Sequence, residues 1–498
     1  MSDQPNILVM MTDQQRFDSL GCYGFEAIDT PNLDRLAEEG VLFEHCYATN
    51  PICTPSRASM LTGKHLPGHG VYRLYDDLPK DEVLFPKRLQ RLGYQTALIG
   101  KLHVSSITYE AANRHPNNGF DIYDWCHEPS WNLDAPHNGY ARWLRETNPE
   151  FLERLAREGR SLHVPREVHM THWAAERTNE LIRQRPKGQP FFYLMSVFDP
   201  HSPYQDHPLE MRDRVNKDKL PDPILVEGEL ERGPAILRRL AEQTSGIGLA
   251  SDVSPEEIRE MRLGYYASIA LIDLEFGRVL DTLEQEGIAE DTLVFFVSDH
   301  GDMLGDHMQF SKGGALYDPC TRVPFLMRWP ARFGGHRRLS HLVQQHDIAA
   351  TALAAAGMAA EELQNLMPDA VDLSPLCAGE TDRSHDYAYC VYRNSGLCRE
   401  RVKTFYFGPP VLATMIRGER FKLVLFHGTG PGKSSEGVLF DMQNDPLETV
   451  NLWDHADYLG VRLEMTERLL TWLVEHETRH LGSRGGSSIP PWWDGPKP

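Results

Sequence analysis

Asp13 follows the apolar run 7–11, and the adjacent pair Asp299-His300 follows the apolar run 293–297. Two carboxylates and an imidazole at the ends of buried strands make a ligand set for a divalent cation. Lys101 and His103 come directly after the run 97–99. Their spacing of two puts both side chains on one side of an extended segment. His201 follows the run 191–197 and lies between Pro200 and Pro203, which stiffen the loop that presents it. Lys312 precedes Gly313-Gly314 in the loop beyond Asp299-His300. A single aspartate in a loop is more often a helix cap, and a single lysine or histidine is more often solvated surface. Most of these groups sit just after a strand, however, and one edge of a parallel sheet is where open α/β folds bind ligands.

The elements needed to place these groups are legible. Apolar strand runs at 7–11, 97–100, 191–197, 293–297 and 325–329 alternate with helical patterns at 31–40, 85–93, 173–185, 265–287 and 348–357. Near-continuous apolar strands predict an α/β fold: a large, mostly parallel (mixed) sheet sandwiched by helices. After about residue 380 the pattern changes. Short strands at 387–392, 413–417, 421–426 and 437–441, with a hairpin turn at 417–420, precede a helix over 458–476. This predicts a smaller C-terminal α+β subdomain containing an antiparallel sheet. The expected division is 1–380 for the catalytic domain, 381–481 for the subdomain and 482–498 for an extended tail. The charged, Pro/Gly-punctuated stretch 206–254 reads as a surface insertion near the mouth of the site.

The chain has 498 residues, 41% of them hydrophobic and 24% charged, with a formal net charge of −20. That balance argues against nonspecific binding to nucleic acid or to anionic membranes. An anionic substrate would need a local positive field against the global one. The apolar run 7–11 is too short for a signal sequence or a membrane span. The eight cysteines show no CxxC spacing, which fits reduced thiols and a cytoplasmic location. Trp492-Trp493 in the tail suggests docking and a homo-oligomer.

One further string is more specific. Cys53-Thr-Pro55-Ser-Arg57, followed by four residues and Thr62-Gly63, fixes five positions within eleven residues. It resembles the signature of the type I formylglycine-dependent sulfatases of the alkaline phosphatase superfamily. Asp13-Gln14, Gly100-Lys101-x-His103, Pro200-His201-x-Pro203 and Asp299-His300-Gly301 resemble that family's other motifs, in its order. The stretch 439–452 resembles its closing motif.

The resemblance implies a sulfate-monoester hydrolase of arylsulfatase type. Cys53 would be oxidised to formylglycine by a formylglycine-generating maturation enzyme. Asp13, Gln14, Asp299 and His300, with residue 53, would hold one divalent metal ion. Arg57 would support the formylglycine, Lys101 and Lys312 would grip the sulfate oxygens, and His103 and His201 would transfer protons. The hydrated aldehyde has two hydroxyls on one carbon. One attacks sulfur to give a covalent sulfo-enzyme hemiacetal, while His201 or Lys312 protonates the departing alcohol. Loss of the second hydroxyl's proton, to His103, expels sulfate.

Gln14 and His300 stand where many calcium-dependent members carry Asp and Asn. Imidazole suits manganese better than calcium, so both Ca2+ and Mn2+ remain open. The Asp-His pair also resembles the choline-sulfatase and phosphonate monoester hydrolase branches, and the latter is the alternative activity. Lys101 and His103 favour the sulfatase. The expected substrate is a small sulfate ester. Its specificity would come from 206–254 and from C-terminal loops near Tyr392, Arg393, Asn394 or His427.

Overall fold

We describe the protein from a computed structural model covering residues 4–160, 163–243, 250–395, 409–428 and 434–483. Eight strands form the main sheet: β1 (Asn6–Thr12), β2 (Val41–Tyr47), β3 (Gln95–Gly100), β4 (Ile122–Trp125), β5 (Phe191–Ser196), β6 (Thr292–Ser298), β7 (Arg322–Arg328) and β8 (Arg337–Gln344). Their order is β4-β3-β5-β1-β6-β7-β2-β8. Only β7 runs against the rest; β4, β3, β5, β1 and β6 are mutually parallel, and β2 pairs in parallel with β8. The central strands are apolar because both faces are covered. Leu8, Met10, Tyr193 and Phe296 belong to one apolar layer, while Ile7, Val9, Leu194 and Val297 belong to the other.

Four helices matter for the site. α1 (Cys53–Thr62) has all ten residues buried. α2 (Met170–Gln184) and α3 (Pro255–Gln285) pack on each other. The start of α3 carries a complete capping box between Ser254 and Glu257. α4 (Leu459–Ser483) packs on a second, antiparallel sheet of order β12-β11-β10-β9. That sheet comprises β9 (Ala388–Arg393), β10 (Leu412–Arg417), β11 (Phe421–Phe426) and β12 (Glu436–Asp441). The expected hairpin is present: Arg417 pairs with Lys422, and Gly418 N–H donates to Phe421 C=O.

A buried ion triad fastens the two sheets together. Lys422 of β11 lies 2.7 Å from both Asp318, just before β7, and Glu448. No helix among the described residues is long and apolar enough to cross a membrane. Every described cysteine is a free thiol. Trp492, Trp493 and Cys398 lie outside the described residues.

Candidate active site

The ladder of parallel hydrogen bonds continues past the strand ends and sets the site residues side by side. Asp13 N–H donates to Asp199 C=O at 3.1 Å, Lys101 N–H to Ser196 C=O at 2.9 Å, and Asp299 N–H to Thr12 C=O at 3.3 Å. Gly100 is required here, since a Cβ on it would lie 1.9 Å from Ser196 O. Gly301 answers a similar need rather than a sharp turn: a Cβ there would lie 2.0 Å from Pro319 O. α1 begins at Cys53, and the preceding turn is held by Asn50. Asn50 Oδ1 accepts from Ile52 N–H, and its amide donates to Val391 C=O of β9.

All ten residues expected at the site converge on this edge. Asp13, Cys53, Asp299 and His300 bring one ligand atom each within 4.8 Å of one another. Lys312 Nζ donates to Cys53 Sγ at 2.8 Å and lies 3.0 Å from His201 Nε2 and 3.2 Å from His300 Nε2. Arg57, one turn into α1, is fully buried. It donates to Asp299 at 2.6 Å, Asp13 at 2.9 Å, Lys101 C=O at 3.0 Å and Ser196 Oγ at 3.0 Å. Lys101 Nζ donates to Asp13 at 2.5 Å. His103 is reached through a left-handed backbone, φ 55°, and not along an extended run. Its Nε2 lies 2.9 Å from Thr54 Oγ1.

The hydrogen bonds fix the imidazole tautomers. His300 Nδ1 lies 2.9 Å from Gly301 C=O, and His201 Nδ1 lies 2.8 Å from Ser202 C=O. A carbonyl only accepts, so both Nδ1 atoms carry a proton; burial keeps His201 neutral with a lone pair on Nε2, whereas against burial Asp299 raises His300, whose Nε2 becomes a ligand once its proton leaves. The Thr54 hydroxyl donates to Leu74 C=O, so His103 Nε2 is its donor and His103 Nδ1 is the basic atom.

Electrostatics follow from burial and neighbours. Burial alone would raise Asp13, but Lys101 and Arg57 hold it well below the usual carboxylate range. Burial and Asp13 push the Cys53 thiol up, yet Lys101, Lys312 and His300 bring it below its ordinary value. Burial, reinforced by Lys312, holds His201 well below the normal imidazole value. Burial, His127 and Lys101 do the same for His103.

The donor set fits a divalent ion. Gln14 Oε1 is buried and has no partner, because its amide nitrogen donates to Asp302 at 2.5 Å. Asp302 also accepts from Tyr204 OH at 2.6 Å. Asp13, Asp299, Gln14 Oε1 and the lone pair of His300 Nε2 give three oxygen donors and one nitrogen. Such a mixed set suits manganese more readily than an all-oxygen calcium shell.

Several contributors were not singled out from the sequence. Asp302 and Tyr204 directly follow the motifs that end at Gly301 and Pro203. Ser56 and Gln345 lock the Asp299 carbonyl, at 2.6 and 2.7 Å. A cavity of about 720 Å³ opens over Cys53, Lys101, His103, His201 and Lys312. Its outer wall includes Tyr75, His127, Glu128, Trp131, Arg160 and Phe198. Among the described residues, none of 206–254 lines it, and neither do Tyr392, Arg393, Asn394 or His427, so the expected source of specificity is corrected. The walls come instead from the 74–75, 127–131, 159–160 and 202–205 segments. The cause is topological, since these segments connect elements around β3, β4 and β5, which flank the site.

The sulfatase family profile matches residues 5–358. The chain belongs to the sulfatase family. It is accordingly an enzyme of the sulfuric-ester hydrolase class. A profile for the C-terminal region of N-sulphoglucosamine sulphohydrolase matches residues 305–475 of this sulfatase. An arylsulfatase of Clostridium perfringens is 28% identical, with 98% of this chain and 97% of that protein aligned. An N-acetylglucosamine-6-O-sulfatase of Bacteroides thetaiotaomicron is 27% identical, over 94% of this chain and 86% of its own. The crystal structure of the phosphonate monoester hydrolase of Agrobacterium radiobacter is similar at a TM-score of 0.77 and 25% identity, covering 95% of this chain and 96% of that one.

Proposed function

We propose that this sulfatase hydrolyses small sulfate monoesters through a formylglycine formed from Cys53 by a maturation enzyme, with one divalent ion held by Asp13, Gln14, Asp299 and His300. The observation that carries this reading is the placement of Lys312 and Lys101 around the Cys53 side chain at the floor of an open cavity. Lys101, Lys312 and Arg57 against Asp13 and Asp299 leave a local charge of +1, which a divalent ion raises to +3. A chain of net charge −20 can therefore hold a sulfate at this spot.

Once formed, the hydrated aldehyde supplies one hydroxyl to attack sulfur and a second whose deprotonation releases sulfate. The ion, when bound, supplies Lewis acidity beside the nucleophile. Lys101 and Lys312 bind the sulfate oxygens. The tautomers support one division of the proton transfers. His201 is neutral and its Nε2 accepts from Lys312, so Lys312 donates the proton to the departing alcohol while His201 orients it, and solvent returns the proton to the lysine. His103, also neutral, takes up a proton at Nδ1, with Thr54 orienting the ring.

A phosphonate monoester hydrolase reading is favoured by one observation, the structural similarity to the Agrobacterium radiobacter enzyme. Lys101 and His103 at the cavity floor favour sulfate. The test is kcat/KM for p-nitrophenyl sulfate against p-nitrophenyl phenylphosphonate with one preparation. Sulfate preference supports the proposal, and a higher value for the phosphonate reverses it.

A further inference from the structure

A second cluster of histidines lies away from Cys53, where the main sheet meets the C-terminal subdomain. His346 and Asp347 follow β8, His385 precedes β9, His65 follows α1, and His476 belongs to α4. His346, Asp347 and His385 bring one ligand atom each within 4.8 Å of one another. The rings of His65 and His346 are 4.6 Å apart, and those of His346 and His385 are 5.8 Å apart.

The protein's own hydrogen bonds do not satisfy this cluster. His346 Nε2 lies 2.8 Å from Asp369 C=O, so Nε2 carries the proton and Nδ1 keeps a lone pair. That Nδ1 is buried and has no partner, and the same is true of His65 Nδ1. His385 Nε2 is 2.9 Å from both oxygens of Asp347. An imidazolium–carboxylate pair would account for His385 and Asp347, but it leaves the two buried ring nitrogens unexplained. His476 is already engaged by Asp369. Asp347 is held rigidly, accepting from Gln344 N–H and Val371 N–H at 2.8 Å each.

We propose that His346, Asp347 and His385 form a binding site for a divalent transition ion of the zinc type. Two imidazoles and a carboxylate are borderline-soft ligands, and three protein ligands leave the fourth position of tetrahedral zinc to a water. The carbonyl behind His346 and the backbone donors on Asp347 supply the outer contacts that orient such ligands. Binding displaces the proton shared by His385 and Asp347, which passes to solvent. The His385 side chain is 15% exposed and offers the entry route. The bound ion would tie the end of β8 to the segment leading into β9, joining the main sheet to the C-terminal subdomain.

The test uses the full chain, stripped with chelator and dialysed against Zn2+, with metal counted by mass spectrometry. Wild type should hold two equivalents, His346→Gln one, and Asp13→Asn one, the last retaining a tetrahedral Co2+ absorption spectrum after Co2+ substitution. No metal in folded Asp13→Asn, or equal content in wild type and His346→Gln, would overturn the proposal. If His346→Gln does not fold, the Asp13→Asn count decides alone. Loss of metal from this cluster with sulfate-ester turnover intact would leave the mechanism standing.

Discussion

Asp302→Asn should weaken the hold on the active-site ion without dismantling the site. Asp302 Oδ2 accepts from Gln14 Nε2 at 2.5 Å and from Tyr204 OH at 2.6 Å, and Oδ1 accepts from Leu304 N–H at 2.9 Å. Three donors converge on one carboxylate. An asparagine has a single acceptor oxygen, so its amide must face at least one of those donors. Gln14 keeps its backbone place, because its N–H donates to Asp299 and its carbonyl accepts from Tyr265 OH. Its side-chain amide, however, exchanges an ionised partner for a neutral one shared with Tyr204, which weakens the contact that holds Oε1 in place. Removing such an orienting contact typically lowers metal affinity about 10–100-fold, which is about 1.4–2.7 kcal/mol at 1.36 kcal/mol per decade. Competition against a chelating dye, with Mn2+ and Ca2+ in turn, measures this directly. Saturating metal should restore most of kcat. Unchanged affinity, or folded protein whose lost activity metal does not restore, would refute the role given to Asp302 and Gln14.

Arg57→Ala removes one partner from two buried carboxylates and should cost about 3–5 kcal/mol of stability, read as a lower urea midpoint; an unchanged midpoint contradicts the ion network described. Lys312→Met should slow alkyl sulfates by about 10²–10⁴ and p-nitrophenyl sulfate by much less, since only the former needs leaving-group protonation; equal losses point to substrate binding instead. Because burial lowers His201 and His103, both stay in the basic form as pH falls, so the acid limb of kcat/KM should lie below the ordinary imidazole value of about 6.5. An apparent value above that in the pH profile speaks against both as neutral groups.

The parts of the fold visible in the sequence are those where one physical constraint dominates. β1, β3, β5 and β6 are covered on both faces, so their residues are uniformly apolar and their ends mark Asp13, Lys101, His201 and Asp299. β8 is an edge strand that reads Arg-Arg-Leu-Ser-His-Leu-Val-Gln, mostly uncovered in its first five residues and buried in its last three, and nothing in that composition marks a strand. Gln345, which follows it and locks Asp299, was hidden for the same reason. β2 is broken by a register shift after Phe43, where Glu44 and His45 interrupt the apolar run. The cavity wall is not legible in the sequence because its lining comes from connections beside β3, β4 and β5 that carry no distinctive composition, unlike the charged stretch 206–254. Asp302 shows the opposite case. It is adjacent to a recognised motif, but its role depends on Gln14 and Tyr204, which only the fold brings to it.

The central claim is that the nucleophile derives from Cys53. Its most direct test is the mass of the tryptic peptide carrying residue 53, taken from protein with measured sulfate-ester turnover. The account predicts a peptide about 18 Da lighter than the encoded one, from conversion of thiol to aldehyde, in proportion to specific activity. Fully active protein whose Cys53 peptide has the unmodified mass would contradict it.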